Sequence, residues 1–157
     1  MIICSVDIGS RNLSYSIIDF DLEEKTFTLI KPVFLYLSAD KIGDRLLVIQ
    51  KRFEKEIEDN LVELIVFENS KFHGKCAQDL NFVCGMMHFM AAVYDIPIRA
   101  ISPTAVKKLL TGVGTAGKVE VDNAVKTYLT NPPATFENDH CSDSCGVGVA
   151  YCLKTYF

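Results

Sequence analysis

The sequence predicts an α/β domain built on a mixed five-stranded sheet with helices on both faces. Two observations support this prediction: a short polar turn joins two strand-like segments near the N-terminus, and strands then alternate with helices along the chain. A short turn favours an antiparallel hairpin, whereas strands separated by helices favour parallel pairing. The 157 residues suit one domain of ordinary size, and we assign residues 1–157 to it.

The first three predicted elements are strands. Ile2–Val6 is a short apolar run that ends at Asp7. Leu13–Phe20 alternates between apolar and polar residues, as a half-buried strand does. The polar turn at 21–25 connects it to Thr26–Leu37, a third strand rich in β-branched and aromatic residues.

The middle of the chain alternates between helices and strands. Residues 40–60 have apolar side chains at three- and four-residue steps, which predicts a helix. Leu61–Phe67 is almost entirely apolar, as expected for a strand in the centre of a sheet. The helix at 77–94 is apolar on most of its circumference, and the strand Ile96–Ser102 follows it.

The last third of the chain is predicted to be helical. Pro103 can occupy the first turn of a helix over Pro103–Leu110, and further helices are expected at 119–129 and Asp139–Tyr156. The segment Thr111–Lys118 contains three glycines and is expected to be a mobile or binding loop. This order of strands and helices is that of the ribonuclease H-like fold.

Composition limits the classes of protein to which the chain can belong. It is 49% hydrophobic and 23% charged, which is typical of globular proteins, and no apolar run is long enough to cross a membrane. The N-terminus lacks the pattern of a signal peptide, so we expect an intracellular, soluble protein whose six cysteines are mostly reduced. No Cys-x-x-Cys pair occurs, so a structural zinc site is not expected.

The net charge of −4 weighs mildly against nucleic-acid binding. The distribution of charge matters more than its sum. Residues 68–126 contain seven lysines and arginines but five aspartates and glutamates, so the middle of the chain is weakly basic.

Four side chains are candidate metal ligands. Asp7 and Glu68 each follow a predicted central strand, and His140 and Asp143 share one face at the start of the last helix. Neighbouring carboxylates repel one another, and a divalent cation relieves that repulsion. Oxygen ligands suit Mg²⁺, and a histidine among them also suits Mn²⁺. Two such ions about 4 Å apart can activate a water molecule and stabilise the charge on a scissile phosphate.

Each ligand has an alternative interpretation. The segment 7–10 could be the phosphate-binding turn of an actin-like ATPase or a simple strand-end turn. Glu68 could be a solvated residue at a strand end, and His140 a helix-start residue without a ligand role. Asp139 could cap the last helix or replace His140 as the ligand.

Four short motifs together resemble those of the RuvC-like Holliday junction resolvases. They are Ser5-Val6-Asp7-Ile8-Gly9-Ser10-Arg11-Asn12, Val66-Phe67-Glu68, the segment 102–118 with its Ser-Pro-Thr-x-x-Lys-Lys and Gly-x-x-Lys patterns, and His140-Cys141-Ser142-Asp143-Ser144. The resemblance covers essentially the whole chain. In length, cysteine content and Asp-Ser ending, the chain looks most similar to the resolvases of poxviruses and related large DNA viruses. That similarity would place the protein in the host-cell compartment of viral DNA replication.

The resemblance implies a homodimeric, metal-dependent endonuclease that nicks four-way DNA junctions in pairs. By position, Asp7, Glu68, His140 and Asp143 match the metal-binding residues of the family. Lys107 and Lys118 match lysines near the scissile phosphate or the DNA backbone, and we count both as catalytic candidates. The third ligand position is more often aspartate than histidine, although histidine occurs there in some bacterial members.

The resemblance also indicates which segments would contact DNA and a second copy of the chain. The helix at 77–94 is the candidate dimer contact, and the alternative is an intramolecular core helix. A basic loop carries an aromatic side chain that could insert at the junction centre or fold onto the core. The candidate DNA-binding residues are Lys71, Phe72, Lys75, Lys107, Lys108 and Lys118.

Two further functions stay open from the sequence. A nuclease of this fold could act on RNA–DNA hybrids or on flaps. Because of the histidine at position 140, a non-catalytic protein that binds junctions is also possible.

Overall fold

The computed structural model describes residues 1–69 and 77–157. Five strands form one mixed sheet in the order β3-β2-β1-β4-β5. The strands are β1 Ile2–Asp7, β2 Asn12–Asp21, β3 Thr26–Tyr36, β4 Leu64–Glu68 and β5 Ile98–Ile101. The helices are α1 Ile42–Asn60, α2 Ala77–Val93, α3 Pro103–Thr111, α4 Lys118–Tyr128 and α5 Asp139–Tyr156.

The predicted mixture of pairing directions is confirmed. β1 pairs antiparallel with β2, and β2 pairs antiparallel with β3. β4 pairs parallel with β1 on its other side, and β5 pairs parallel with β4. The hairpins thus build one half of the sheet, and the strands that follow helices build the other half.

Helices cover both faces of the sheet, as predicted. On one face, α1 and α2 bury Phe53 and Met87 against Val6 and Tyr15 of the sheet. On the other face, α3, α4 and α5 enclose a second core that includes Ile3 and Ile18. Because neighbouring residues of a strand point to opposite faces, β1 contributes side chains to both cores.

Two predicted boundaries differ from the structure for a local reason. β4 begins at Leu64, three residues later than predicted, because Leu61 caps α1 in a left-handed conformation with φ of 53°. β5 covers Ile98–Ile101, inside the predicted Ile96–Ser102, and it ends before Ser102 because that residue caps α3 through its hydroxyl group. Helix-capping residues with apolar neighbours are easily mistaken for strand residues.

α2 is apolar on two sides, and the described residues of the chain bury one of them. Val83, Met87 and Met90 are buried against the sheet and α1. Phe82 and Phe89, on the outer side of the same helix, are 46% and 62% exposed. Among the residues that the structure describes, no helix is both long and apolar enough to span a membrane.

Candidate metal centre

The predicted acidic residues lie where two adjacent parallel strands end. Val6 of β1 is in register with Phe67 of β4, so Asp7 and Glu68 follow at neighbouring positions on the same edge of the sheet. Both strands are buried up to these residues, whereas Asp7 and Glu68 are half-buried. The fold therefore brings two carboxylates, 61 residues apart in sequence, to one edge of the sheet.

The first turns of α5 bring the other two candidate ligands to this edge. Asn138 caps the helix by accepting a hydrogen bond from the backbone N–H of Cys141. One turn later, the hydroxyl oxygen of Ser144 lies 3.0 Å from that of Ser14 and 2.9 Å from that of Ser16. Small buried hydroxyl groups allow α5 to approach the sheet closely, and they fix the height of its first turns above β2.

Three of the four predicted ligands come together. A ligand atom from each of Asp7, His140 and Asp143 lies within 4.8 Å of the other two. Nδ1 of His140 is 3.0 Å from Oδ2 of Asp7. The imidazole ring also stacks on Phe34 of β3, with ring centroids 5.6 Å apart and planes inclined by 14°. These contacts define both the position and the plane of the histidine ring.

The electrostatics of this group favour a cation. Burial raises the pKa of the Asp143 carboxyl group above its ordinary value, and the negative charge of Asp7 raises it further. A divalent cation bound between these groups would reverse both effects, because it stabilises the ionised carboxylates. Two carboxylates and one imidazole also form a donor set that suits Mg²⁺ or Mn²⁺.

Glu68 lies outside the three-residue group. Its backbone is in register with Ile101 of β5, and it ends β4 beside Asp7. The structure thus brings three of the four predicted ligands together and places Glu68 at the end of the neighbouring strand.

Lys118 is the predicted lysine that lies beside this group. It is the first residue of α4, and its Nζ is 3.0 Å from Oδ2 of Asp139. The hydrogen bond to Asp139 raises the pKa of Lys118, and the charges of Asp143 and Asp7 raise it further. Asp139, an alternative ligand in the sequence, is thus paired with a lysine and does not belong to the ligand group.

The other predicted DNA contacts come earlier in the chain than Lys118. Lys107 and Lys108 are on α3, where Lys107 is half-buried and Lys108 is exposed. Lys71, Phe72 and Lys75 lie outside the described residues, so the predicted basic loop stays a prediction.

A cleft of about 340 Å³ opens onto the candidate ligands. Its lining consists of the loop 7–12, Leu80 of α2 and His140. The loop is tight at Gly9, where an added Cβ atom would lie 1.8 Å from the carbonyl oxygen of Asn12. Only glycine fits this position, and the loop therefore keeps Asp7 at the cleft entrance.

Residues 3–151 of this chain match the sequence model of the family described as "Crossover junction endodeoxyribonuclease RuvC". The chain belongs to the RuvC family. This match favours the nuclease interpretation of Asp7 over the actin-like one. Among curated RuvC proteins, that of Ruminiclostridium cellulolyticum is 29% identical over 153 residues, which cover 96% of this chain and 91% of the relative.

Solved structures of resolvases share the fold. The Thermus thermophilus RuvC structure has a TM-score of 0.84 at 20% identity and covers 98% of this chain and 94% of its own. The fowlpox virus Holliday junction resolvase has a TM-score of 0.65 at 17% identity and covers 99% of both chains. The bacterial RuvC is thus the more similar of the two, and the expected closeness to the poxvirus type is not supported.

Sequence reasoning missed two residues that contact the site region. Phe34 belongs to β3, and only the register of the sheet brings it next to His140. Arg45 of α1 is buried and donates a hydrogen bond to the loop that follows Asp7. A buried cation leaves no mark in a hydrophobicity pattern, although an arginine in the first turn of a helix is locally unfavourable and could have been noted.

Proposed function

We propose that this chain is a metal-dependent endonuclease that resolves four-way DNA junctions by paired cuts. The observation that carries the proposal is the approach of Asp7, His140 and Asp143 to within 4.8 Å of one another at the edge of a RuvC-family sheet. A structure of Thermus thermophilus RuvC in complex with a Holliday junction substrate, at a TM-score of 0.82, has this fold and supports the choice of substrate.

Asp7, His140 and Asp143 would hold the divalent cation, and Glu68 would complete the set from the next strand. Mg²⁺ and Mn²⁺ both fit these donors, and we propose two ions at each site. When bound, such ions polarise a phosphodiester and lower the pKa of water. Burial and the charge of Asp7 raise the pKa of Asp143, and a bound cation would stabilise the ionised form of this carboxyl group.

The proposed reaction is hydrolysis of one phosphodiester bond in each of two strands. The oxygen atom of water bonds to phosphorus and gives up a proton, the bond from phosphorus to the 3′ oxygen breaks, and that oxygen takes up a proton and leaves as a 3′-hydroxyl group. The other end retains a 5′-phosphate. Lys118 would stabilise negative charge on the phosphate oxygens, because its Nζ lies next to the ligand group and is protonated at neutral pH. Lys107 would assist from α3.

DNA binding would rest on phosphate contacts from lysines. Lys108 and Lys107 on α3, Lys118 on α4 and the basic side chains Lys71 and Lys75 would neutralise backbone charges, and Phe72 would insert at the branch point. Such binding weakens steeply as salt increases. The chain as a whole carries a net negative charge. A steep decrease in DNA affinity with salt would therefore indicate that local lysine contacts, and not the net charge, determine binding.

A homodimer would match the two-fold symmetry of a junction and present two equivalent sites to two equivalent phosphates. We propose that the outer side of α2 forms the contact, because Phe82, Phe89 and Val93 are exposed on it at helical spacing. Phe89→Glu should convert the dimer to a monomer in light scattering. A dimer that persists at micromolar concentration would place the interface elsewhere.

Two alternatives belong to the same fold. A nuclease with other substrates would cut flaps or RNA–DNA hybrids at least as fast as four-way junctions. A non-catalytic protein would bind junctions without nicking them in any divalent cation. The approach of His140 to Asp7 favours the catalytic interpretation, because it makes the histidine a usable ligand.

The test is cleavage of a synthetic four-way junction by the purified protein in Mg²⁺ or Mn²⁺. Symmetric nicks are expected, and Asp7→Asn should abolish them while leaving junction binding intact. Asp59→Asn, at an exposed carboxylate near the far end of α1, is the matched control and should cut normally. Cleavage that survives Asp7→Asn would refute the assigned ligand role.

A further inference from the structure

Arg45 of α1 is a buried cation that breaks two general rules of protein structure. Its side chain is 4% exposed, although burying a guanidinium group carries a large desolvation cost. It is also the fourth residue of its helix, where the positive end of the helix dipole disfavours a cation. A residue kept against both effects is expected to hold other groups in place.

The contacts of Arg45 join two parts of the chain. Its Nη1 donates a hydrogen bond of 2.9 Å to the carbonyl oxygen of Ser10. Its Nη2 forms an ion pair of 2.6 Å with Oδ2 of Asp79. Ser10 is in the loop that follows Asp7, and Asp79 is in the first turn of α2, where the helix dipole favours an anion.

These two partners belong to two segments that contribute to the lining of the cleft. The loop 7–12, which includes Ser10, is one of them, and α2 contributes Leu80, the residue after Asp79. Arg45 itself is not part of the lining. Its guanidinium fork therefore sets the separation between the loop that carries Asp7 and the start of α2.

We propose that Arg45 is a positioning residue that fixes the width of the cleft through which the DNA backbone reaches Asp7. This inference rests on the proposed function, since it assigns the cleft to the scissile strand. Arg45 touches neither ligand nor substrate, and it acts through Ser10 and Asp79. We call the contacts of Arg45 with Ser10 and Asp79 the clamp. A displacement of Asp7 by about 1 Å can reduce the cleavage rate on the order of 100-fold, so loss of the clamp should slow cleavage far more than it weakens binding.

The experiment measures cleavage and binding separately in the full-length protein. Arg45→Lys keeps the charge but cannot reach both partners with a planar fork, and Asp79→Asn removes the ion pair. Each should lower the single-turnover cleavage rate at saturating protein at least about tenfold, while the junction dissociation constant changes less than about threefold. Arg52→Lys, at an α1 arginine whose partners Tyr15 and Glu56 lie outside the cleft, should change neither value.

A second measurement separates the clamp from general stability and from the proposed function. Hydrogen exchange of the DNA-free protein at 25 °C should accelerate at residues 8–12 in Arg45→Lys and Asp79→Asn, and not in Arg52→Lys. Cleavage rates within twofold of the wild type in both clamp variants would overturn the proposal. If the wild type does not cut junctions, the proposed function fails, and unchanged exchange at 8–12 would then overturn the clamp as well.

Discussion

Gly148 of α5 determines how closely that helix approaches the sheet, so Gly148→Ala tests the placement of the metal ligands. A Cβ atom at this position would lie 2.9 Å from Cβ and Oγ of Ser5 and 2.9 Å from Cδ1 of Ile18. Ordinary contacts begin at 3.4 Å, so helix and sheet must separate by about 0.5 Å. The Cβ atom of Ser5 belongs to the central strand β1 and cannot rotate away.

The expected cost combines two opposing effects. Overpacking of a filled core costs about 1–3 kcal/mol, and replacing glycine by alanine within a helix returns up to about 1 kcal/mol. Because three contacts of 2.9 Å must be relieved at once, we take the upper part of the overpacking range, about 2–3 kcal/mol, and expect a net loss of about 1–2 kcal/mol in the free energy of unfolding. In a protein of this size, that corresponds to a decrease in Tm of about 2–8 °C.

Thermal unfolding followed by circular dichroism checks this value. Gly43→Ala on α1 is the matched control: a Cβ atom there meets nothing within 4 Å, so this variant should be as stable as the wild type or slightly more so. Because α5 also carries His140 and Asp143, Gly148→Ala should slow junction cleavage and Gly43→Ala should not. A Gly148→Ala protein that equals the wild type in Tm would refute the argument that the helix is held this close.

Two further predictions concern the buried carboxylate Glu56 of α1 and Phe34, the ring that stacks on His140. Burial raises the pKa of Glu56, but Lys31 and the other polar neighbours outweigh it and hold the pKa below its ordinary value. Its contribution to stability is therefore complete above about pH 4.3 and is lost as the pH falls through the lower pKa of the folded state. In urea unfolding, Glu56→Gln should cost about 1–3 kcal/mol at pH 7 and much less near pH 3; an equal cost at both values would contradict this assignment. Phe34→Leu removes the ring that stacks on His140 and should lower the cleavage rate severalfold with little change in Tm, whereas Phe34→Tyr should keep most of the rate. Equal rates in both Phe34 variants would show that the stacking does not orient the imidazole.

The layout of this fold was predictable because each strand and helix carries a local signal. Hydrophobic periodicity placed α1, and the Pro103 start of α3 is confirmed. The ends of β1 and β4 were predictable because an acidic residue follows each apolar run at Asp7 and Glu68.

The contacts of the site depend on register and packing, which a single sequence does not contain. Phe34 reaches His140 because β3 pairs with β2 in one particular register. On sequence grounds Asp139 could be a helix cap or a ligand, and only the placement of α4 next to α5 pairs it with Lys118.

The central claim is that Asp7, His140 and Asp143 bind one divalent cation. A crystal structure of the protein soaked in Mn²⁺, with anomalous scattering used to locate the metal, tests it most directly. We predict an anomalous peak on the order of 2 Å from a ligand atom of each of the three residues, with Glu68 at or near the same site. Mn²⁺ bound elsewhere, or three side chains that stay apart in its presence, would contradict the account.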